Sequence, residues 1–153
     1  IAGPEEFSLA NRRIVGWEAA MKRANLPCEG LCERGDFGFD SGTAATEKLL
    51  SLAKPPTAII ASSDQMTLAA LATARKRGLR VPEDLSLVSF DNSPIVRFTQ
   101  PALTAIDQPI AATISRVVEL LIEKHTAKPE DGPTIVPGEL IVRESTGHAP
   151  KHG

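Results

Sequence analysis

The stretch from Pro55 to Asp91 constrains the fold more than any other part of the chain. It reads P-P-T-A-I-I-A-S-S-D-Q-M, a helical run, and then G-L-R-V-P-E-D-L-S-L-V-S-F-D. Thr57 to Ser62 is a continuous apolar run of strand length, the pattern of a strand covered on both faces. Ser62, Ser63 and Asp64 are all competent to cap the helix that follows, and Gly78 stands where that helix needs its terminal glycine. Leu85 to Phe90 is a second buried strand, and it ends on the turn residues Asp91-Asn92-Ser93-Pro94. Strand, helix and strand in this order predict a parallel α/β sheet.

The flanks extend the alternation. Ile14, Trp17, Met21 and Ala24 form a helical stripe that Pro27 stops. Cys28 to Arg34 reads as a short strand closed by the turn Gly35-Asp36-Phe37-Gly38. A helix is expected from about Ser41 to Ala53, and a brief strand from Leu103 to Ile106. Pro109 suits a first helical turn. Ile110, Ile114, Val117, Val118 and Leu121 then make an apolar stripe, and Thr134 to Val142 has terminal strand character around Gly138. The expected fold is an open parallel sheet with helices on both faces, followed by a loose tail from His148 to Gly153.

Charge and composition exclude several functions. With 17 basic and 19 acidic residues and no basic cluster, the chain has no footprint for gripping a phosphate backbone. No run approaches the roughly 18 apolar residues that span a bilayer. Cys28 and Cys32, if extended, lie about 13 Å apart at 3.3 Å per residue, too far for a disulfide. A reduced pair is expected, and without a nearby His it makes no zinc site. Ile1-Ala2-Gly3-Pro4 reads as the tail of a strand, with no initiator Met and no signal peptide, which suggests a piece of a longer protein.

Ligands of open parallel sheets bind beyond the carboxyl ends of the strands. That rule selects Gly3-Pro4, Asp36-Phe37, Ser62-Ser63-Asp64 and Asp91-Asn92, with Arg13 on the same rim. One guanidinium, carboxylates, small hydroxyls and an aromatic face suit a ligand rich in hydroxyls or amides. Each residue also has a plainer reading. Ser62 and Asp64 can be helix caps, Asp91 a turn residue, Phe37 a core plug and Arg13 a solvated helix charge. No G-x-S-x-G elbow, phosphate loop or cofactor loop is present, and His125, His148 and His152 all lie at or after the last helix. No enzyme, cofactor or metal is expected.

The same residues carry a resemblance. I-A-G-P, R-R-I-V-G-W, G-D-F, T-A-I-I-A-S-S-D-Q-M-T-L-A-A-L, G-L-R-V-P-E-D-L-S-L-V-S-F-D-N, L-T-A-I-D-Q-P and P-G-E-L-I-V-R-E-S-T occur in order along nearly the whole chain. Together they resemble the C-terminal part of lactose-repressor-type transcriptional regulators, the group that includes the purine and catabolite-control repressors. V-P-E-D-L-S followed by F-D is the specific element.

The resemblance implies a type I periplasmic-binding-protein-like fold. Residues 1–107 would form the C-terminal effector-binding subdomain. Residues 108–127 would cross to a helix of the N-terminal subdomain, 128–147 would return, and 148–153 would be a tail. Arg13 and Asp91 match the residues that hydrogen-bond the effector, and Phe37 the aromatic packed on it. Ser63 stands where many members have an effector-touching Asn, Asp64 follows it, and Gln108 matches a glutamine at the crossover. Leu68 and Phe98 fall on segments that contribute to a dimer interface. The implied partners are a sugar, sugar phosphate, nucleoside or purine effector, a second copy, and operator DNA through a separate N-terminal helix-turn-helix domain, all in the cytoplasm. In a chain without the N-terminal subdomain, the stripe from Ile110 to Leu121 is expected to dock on another copy. A solute-binding protein of a transporter shares the fold and is the alternative reading.

Overall fold

The computed structural model describes residues 1–122 and 135–150. Its elements are α1 (Ser8–Arg23), α2 (Phe39–Leu50), β1 (Ala58–Ala61), α3 (Asp64–Lys76), β2 (Ser86–Asp91), a 3-10 turn (Pro94–Arg97), β3 (Thr104–Asp107), α4 (Ile110–Ile122) and β4 (Glu139–Ile141). The strands lie in the order β1-β2-β3-β4. The first three are parallel, with Ile60 opposite Val88 and Asp91 opposite Asp107. The segment Ile1–Ala2 lies beside β1, since Ser62 N–H donates to Ile1 O.

Two expectations about the sheet need correction. It is mixed rather than wholly parallel, because β4 pairs antiparallel with β3, Glu139 opposite Asp107 and Ile141 opposite Ala105. The chain leaves the sheet at the carboxyl end of β3 and re-enters at the same end, so it can only run back. The expected strand over Cys28–Arg34 shrinks to one parallel bridge, Ala2 to Arg34. A turn closed by Leu31 N–H on Cys28 O consumes the backbone before it. Both cysteines are free.

The core lies on one face of the sheet. Ile59, Ala61 and Leu87 point into it and meet α2 and α3, with Met66 at the centre, fully buried. The two helices touch closely at Gly42, where a Cβ would come within 2.7 Å of the Met66 Cα. Ser63 is the cap of α3, its Oγ accepting from Met66 N–H at 3.1 Å. At the other end Gly78 takes φ +75°, Leu79 N–H bonds Ala74 O and Gly78 N–H bonds Arg75 O, the paired closure that favours glycine.

The opposite face is covered less than the apolar run of β1 predicts. There α1 stands off the sheet, and a cleft of about 800 Å³ separates Ile14, Trp17 and Met21 from Ile60, Val88 and Phe90. Ile60 is accordingly 36% exposed. The stripe of α4 forms as a helix but finds no cover, and none of its residues is buried among the described residues. Residues 123–134 and 151–153 fall outside the described residues. With them go the end of the expected crossover, the start of the return segment and of the terminal strand, His125, His152 and the end of the tail.

Candidate functional site: the carboxyl rim of the sheet

The rim is built where strands end and helices begin, and the six residues expected there divide into two groups. Arg13, one and a half turns into α1, donates from Nη1 to Ser62 O at 2.9 Å. Its guanidinium carbon sits 4.1 Å from the centroid of the ring of Phe90, near the end of strand β2, a cation–π contact. Burial pushes the Arg13 guanidinium below its ordinary value, and Asp91 opposes the shift. Asp91 itself is exposed at the end of β2 and holds a left-handed backbone, φ +92°, followed by Asn92 at +56°. Gln108 Nε2 donates to Asp91 Oδ1, tying the residue after β3 to the carboxylate. Desolvation raises the Asp91 carboxyl above its ordinary value, and the neighbouring Asp64 adds to the shift. Gln108 and Arg13 pull it back.

Phe37 adopts φ +70°, costly for a bulky side chain. Three contacts hold it. Ser63 Oγ donates to Phe37 O at 2.8 Å. The ring lies against Gly3, where a Cβ would come within 2.2 Å of the Phe37 Cζ. Phe7 meets it edge-on, centroids 5.7 Å apart. Strain of this kind collects at ligand sites because the surrounding structure over-determines it. Together Phe37 and the half-exposed Phe7 present an aromatic corner on the same rim, where Arg13 bonds Ser62 and Phe37 bonds Ser63.

Ser63 and Asp64 reach the rim with their polar atoms turned inward. The Ser63 hydroxyl accepts from Met66 and donates to Phe37. Asp64, 5% exposed, accepts from Ser89 Oγ through Oδ1 and from Ser93 N–H through Oδ2 at 2.7 Å. It pins the start of α3 to the end of β2, and so fixes the backbone that carries Asp91. Asp36 likewise braces a turn: its Oδ1 accepts from Gly38 N–H at 2.8 Å and from Ser41 Oγ, fixing the loop that leads into α2. These bonds hold its carboxyl below the ordinary value, the Ser41 bond first.

Several supports were not legible from residue types. Asn92 bridges two strands, donating to Asp107 Oδ1 at 2.7 Å and accepting from Arg143 Nη2 at 2.6 Å. Arg143 also donates to Leu103 O. Arg34 donates to Gly3 O at 3.1 Å and to Asn11 Oδ1 at 2.9 Å, bracing the loop before α1. The alternation of β2, which buries Ser89 and half-exposes Phe90, was the one available signal for Asp64 and Arg13. Of the expected interface residues, Phe98 is 82% exposed, while Leu68 is half-buried against the core. No helix of the described residues is long and apolar enough to cross a membrane.

Residues 1–146 match the periplasmic binding protein-like domain. The chain is 40% identical over 152 residues to the HTH-type transcriptional repressor CytR of Escherichia coli strain K12, a match that covers 98% of this chain and 45% of that protein. It is 36% identical over 147 residues to the HTH-type transcriptional regulator CelR of Thermobifida fusca, covering 95% and 43%. Among solved structures, a LacI-family regulatory protein from Chloroflexus aggregans superposes with a TM-score of 0.86 at 38% identity, covering 96% of this chain and 54% of that one. A complex of the regulator CelR with cellobiose superposes with a TM-score of 0.84 at 35% identity, covering 95% and 45%. The chain therefore spans about half the length of the relatives it matches. Its match across residues 1–146, the sheet and the rim agree: the chain belongs to the periplasmic binding protein-like domain family, as found in the effector-binding core of LacI-type transcriptional regulators.

Proposed function

We propose that this chain is the C-terminal half of the effector-sensing core of a transcriptional repressor, and is not an enzyme. The observation that carries the proposal is the placement of Arg13, Asp91 and Phe37 on one carboxyl rim of a sheet of this family, held there through Ser62 O, Gln108 and Ser63. Asp91 accepts from hydroxyls of a sugar or nucleoside, Arg13 donates, and Phe37 packs on its ring. The complex of CelR with cellobiose supports a sugar-like ligand. Gln108 positions Asp91, and Ser63 and Asp64 position the backbone around it rather than touching the effector.

Residues 1–107 form one wall of the pocket. The segment 108–127, with the uncovered stripe of α4, crosses to a second subdomain that forms the other wall, and 128–147 returns. The relatives' names place a helix-turn-helix in those proteins, and the same arrangement here would bind operator DNA apart from this chain, in the cytoplasm. Exposed Ile95 and Phe98 support a homodimer through the segment that follows β2. An effector that binds better to one arrangement of the two walls shifts the repressor between DNA-binding states by that difference in affinity.

The test is calorimetric titration of the full-length repressor with a panel of sugars and nucleosides, repeated with Asp91→Asn. Asn tolerates the left-handed backbone and keeps the shape while removing the charge. A carboxylate's hydrogen bonds contribute about 1.5–3 kcal/mol, so affinity should fall by about 10- to 100-fold. Undiminished binding by the variant refutes the assignment.

A further inference from the structure

We propose that Asn92 is a positioning residue for Asp91. Its amide, set between Arg143 and Asp107, holds the Asp91 corner in register with the two strands by which the chain leaves the sheet for α4 and returns. The inference rests on the sensor reading above and adds to it a residue that acts without touching the effector.

Asp91 and Asn92 take φ of +92° and +56°, two successive left-handed residues at the end of β2. Such a corner is costly outside glycine and persists only where its surroundings over-determine it. Asn adopts this backbone more readily than most side chains. That explains the residue type at position 92 in part, but not what its amide does.

The amide sits between a donor and an acceptor. Arg143 Nη2 donates to Asn92 Oδ1 at 2.6 Å, and Asn92 Nδ2 donates to Asp107 Oδ1 at 2.7 Å. A guanidinium only donates and an ionised carboxylate only accepts, so the group between them must do both. A carboxylate at this position would meet Arg143 and repel Asp107. A methyl group would meet neither.

Both ends of this relay lie where the chain crosses. Asp107 is the last residue of β3, and the next residue, Gln108, donates from Nε2 to Asp91 Oδ1. Glu139 of β4 stands opposite Asp107, and a Cβ at Gly138 would come within 2.7 Å of Asp107 O, so the returning strand presses on the same residue. Arg143 follows β4 and is itself fixed to β3, its N–H on Thr104 Oγ1 at 2.9 Å and its Nη1 on Leu103 O. Asp91 is therefore held twice from the end of β3, by its carboxylate through Gln108 and by its backbone through Asn92.

The experiment is calorimetric titration of the full-length protein with cellobiose, ribose, adenosine and uridine. The parent is compared with Asn92→Asp, Asp107→Asn and the double variant, each with a urea unfolding curve. Asp also tolerates the left-handed backbone, but two carboxylates then share one contact. Asn92→Asp should weaken whichever probe binds by about tenfold or more. Asp107→Asn keeps an acceptor for the amide and should stay within about threefold of the parent. The double variant exchanges the two roles, the carboxylate at 92 accepting from Arg143 and from the amide at 107, and should also return to within about threefold. A loss that the double variant does not relieve, or no loss in Asn92→Asp, overturns the inference and leaves the sensor reading standing. So does a lower urea midpoint and reduced stoichiometry with an unchanged Kd, the mark of a purely structural residue. Binding of none of the four probes by the parent overturns the sensor reading and this inference with it.

Discussion

At the scale of single residues, the proposed sensor divides the rim into groups that would face a ligand and groups that hold them in place. Asp91 is proposed as one of the first kind. Its carboxyl titrates above the ordinary value of 3.8, chiefly through desolvation. An effector that donates to the carboxylate prefers its ionised form, so affinity should fall on acidification, beginning above pH 3.8. Titrations across pH 4–7 would check this, and Asp91→Asn should flatten that limb. The same raised value has the opposite sign for folding: the native state binds this proton more tightly than the unfolded chain, so the fold gains relative stability as pH falls through that window. Asp64 belongs to the second kind. Its replacement by Ala orphans the Ser93 amide and leaves the buried Ser89 hydroxyl only the longer bond to Phe90 O at 3.2 Å, which should cost about 2–3 kcal/mol. Urea unfolding would show this as a lower midpoint at an unchanged slope. A stability loss below about 1 kcal/mol would return Asp64 to the ligand-facing group.

At the scale of elements, contacts made locally or repeated with a period could be read from sequence. Gly78 closes α3, Ser63 is among the three residues able to cap it, and the Pro55–Asp91 unit folds as strand, helix and strand. The stripe of α4 also forms a helix. What sequence could not supply was the partner of each segment. Cys28–Arg34 has strand-like residues, but its backbone spends itself on a turn and meets the sheet only at Arg34. The direction of β4 depends on where α4 releases the chain. The inward use of Asp64 depends on Ser89, 25 positions away. Two predictions belong here. Gly42→Ala forces a methyl against the Met66 backbone and should cost about 1–3 kcal/mol by overpacking α2 on α3, read as a lower melting temperature. The loop from α3 to β2 is clipped by Arg80 on Asp84, whose carboxyl is lowered to about 2 by the Arg80 bonds. That contribution is present above pH 3.8 and is lost as pH falls toward 2. Asp84→Asn should therefore unfold with a shallower acid limb than the parent chain.

At the scale of the whole molecule, the chain has one finished core and one unfinished surface. The finished core lies between the sheet and the α2–α3 pair, and it carries the rim. The unfinished surface is α4, whose Ile110, Ile114, Val117, Val118 and Leu121 are 46–65% exposed. Full burial of such side chains is worth about 1.5–3 kcal/mol each, so the stripe calls for a partner. The relatives are more than twice as long as the segment matched here, and the proposed occupant in the intact protein is the second subdomain. In the 153-residue chain alone, another copy is the available cover. Ile114→Lys with Val118→Lys places two charges one turn apart on the stripe and separates the two situations. Sedimentation of the isolated chain should show concentration-dependent dimers that the double variant abolishes. Its unfolding free energy, extrapolated to low concentration, should stay within about 1 kcal/mol of the parent, because neither side chain supports the core. In the full-length protein the same pair should cost several kcal/mol and weaken effector binding, since the wall opposite Asp91 would lose its seat. Equal tolerance in both contexts would mean that α4 is a solvent-facing helix, and that the rim described here faces no second wall built on it.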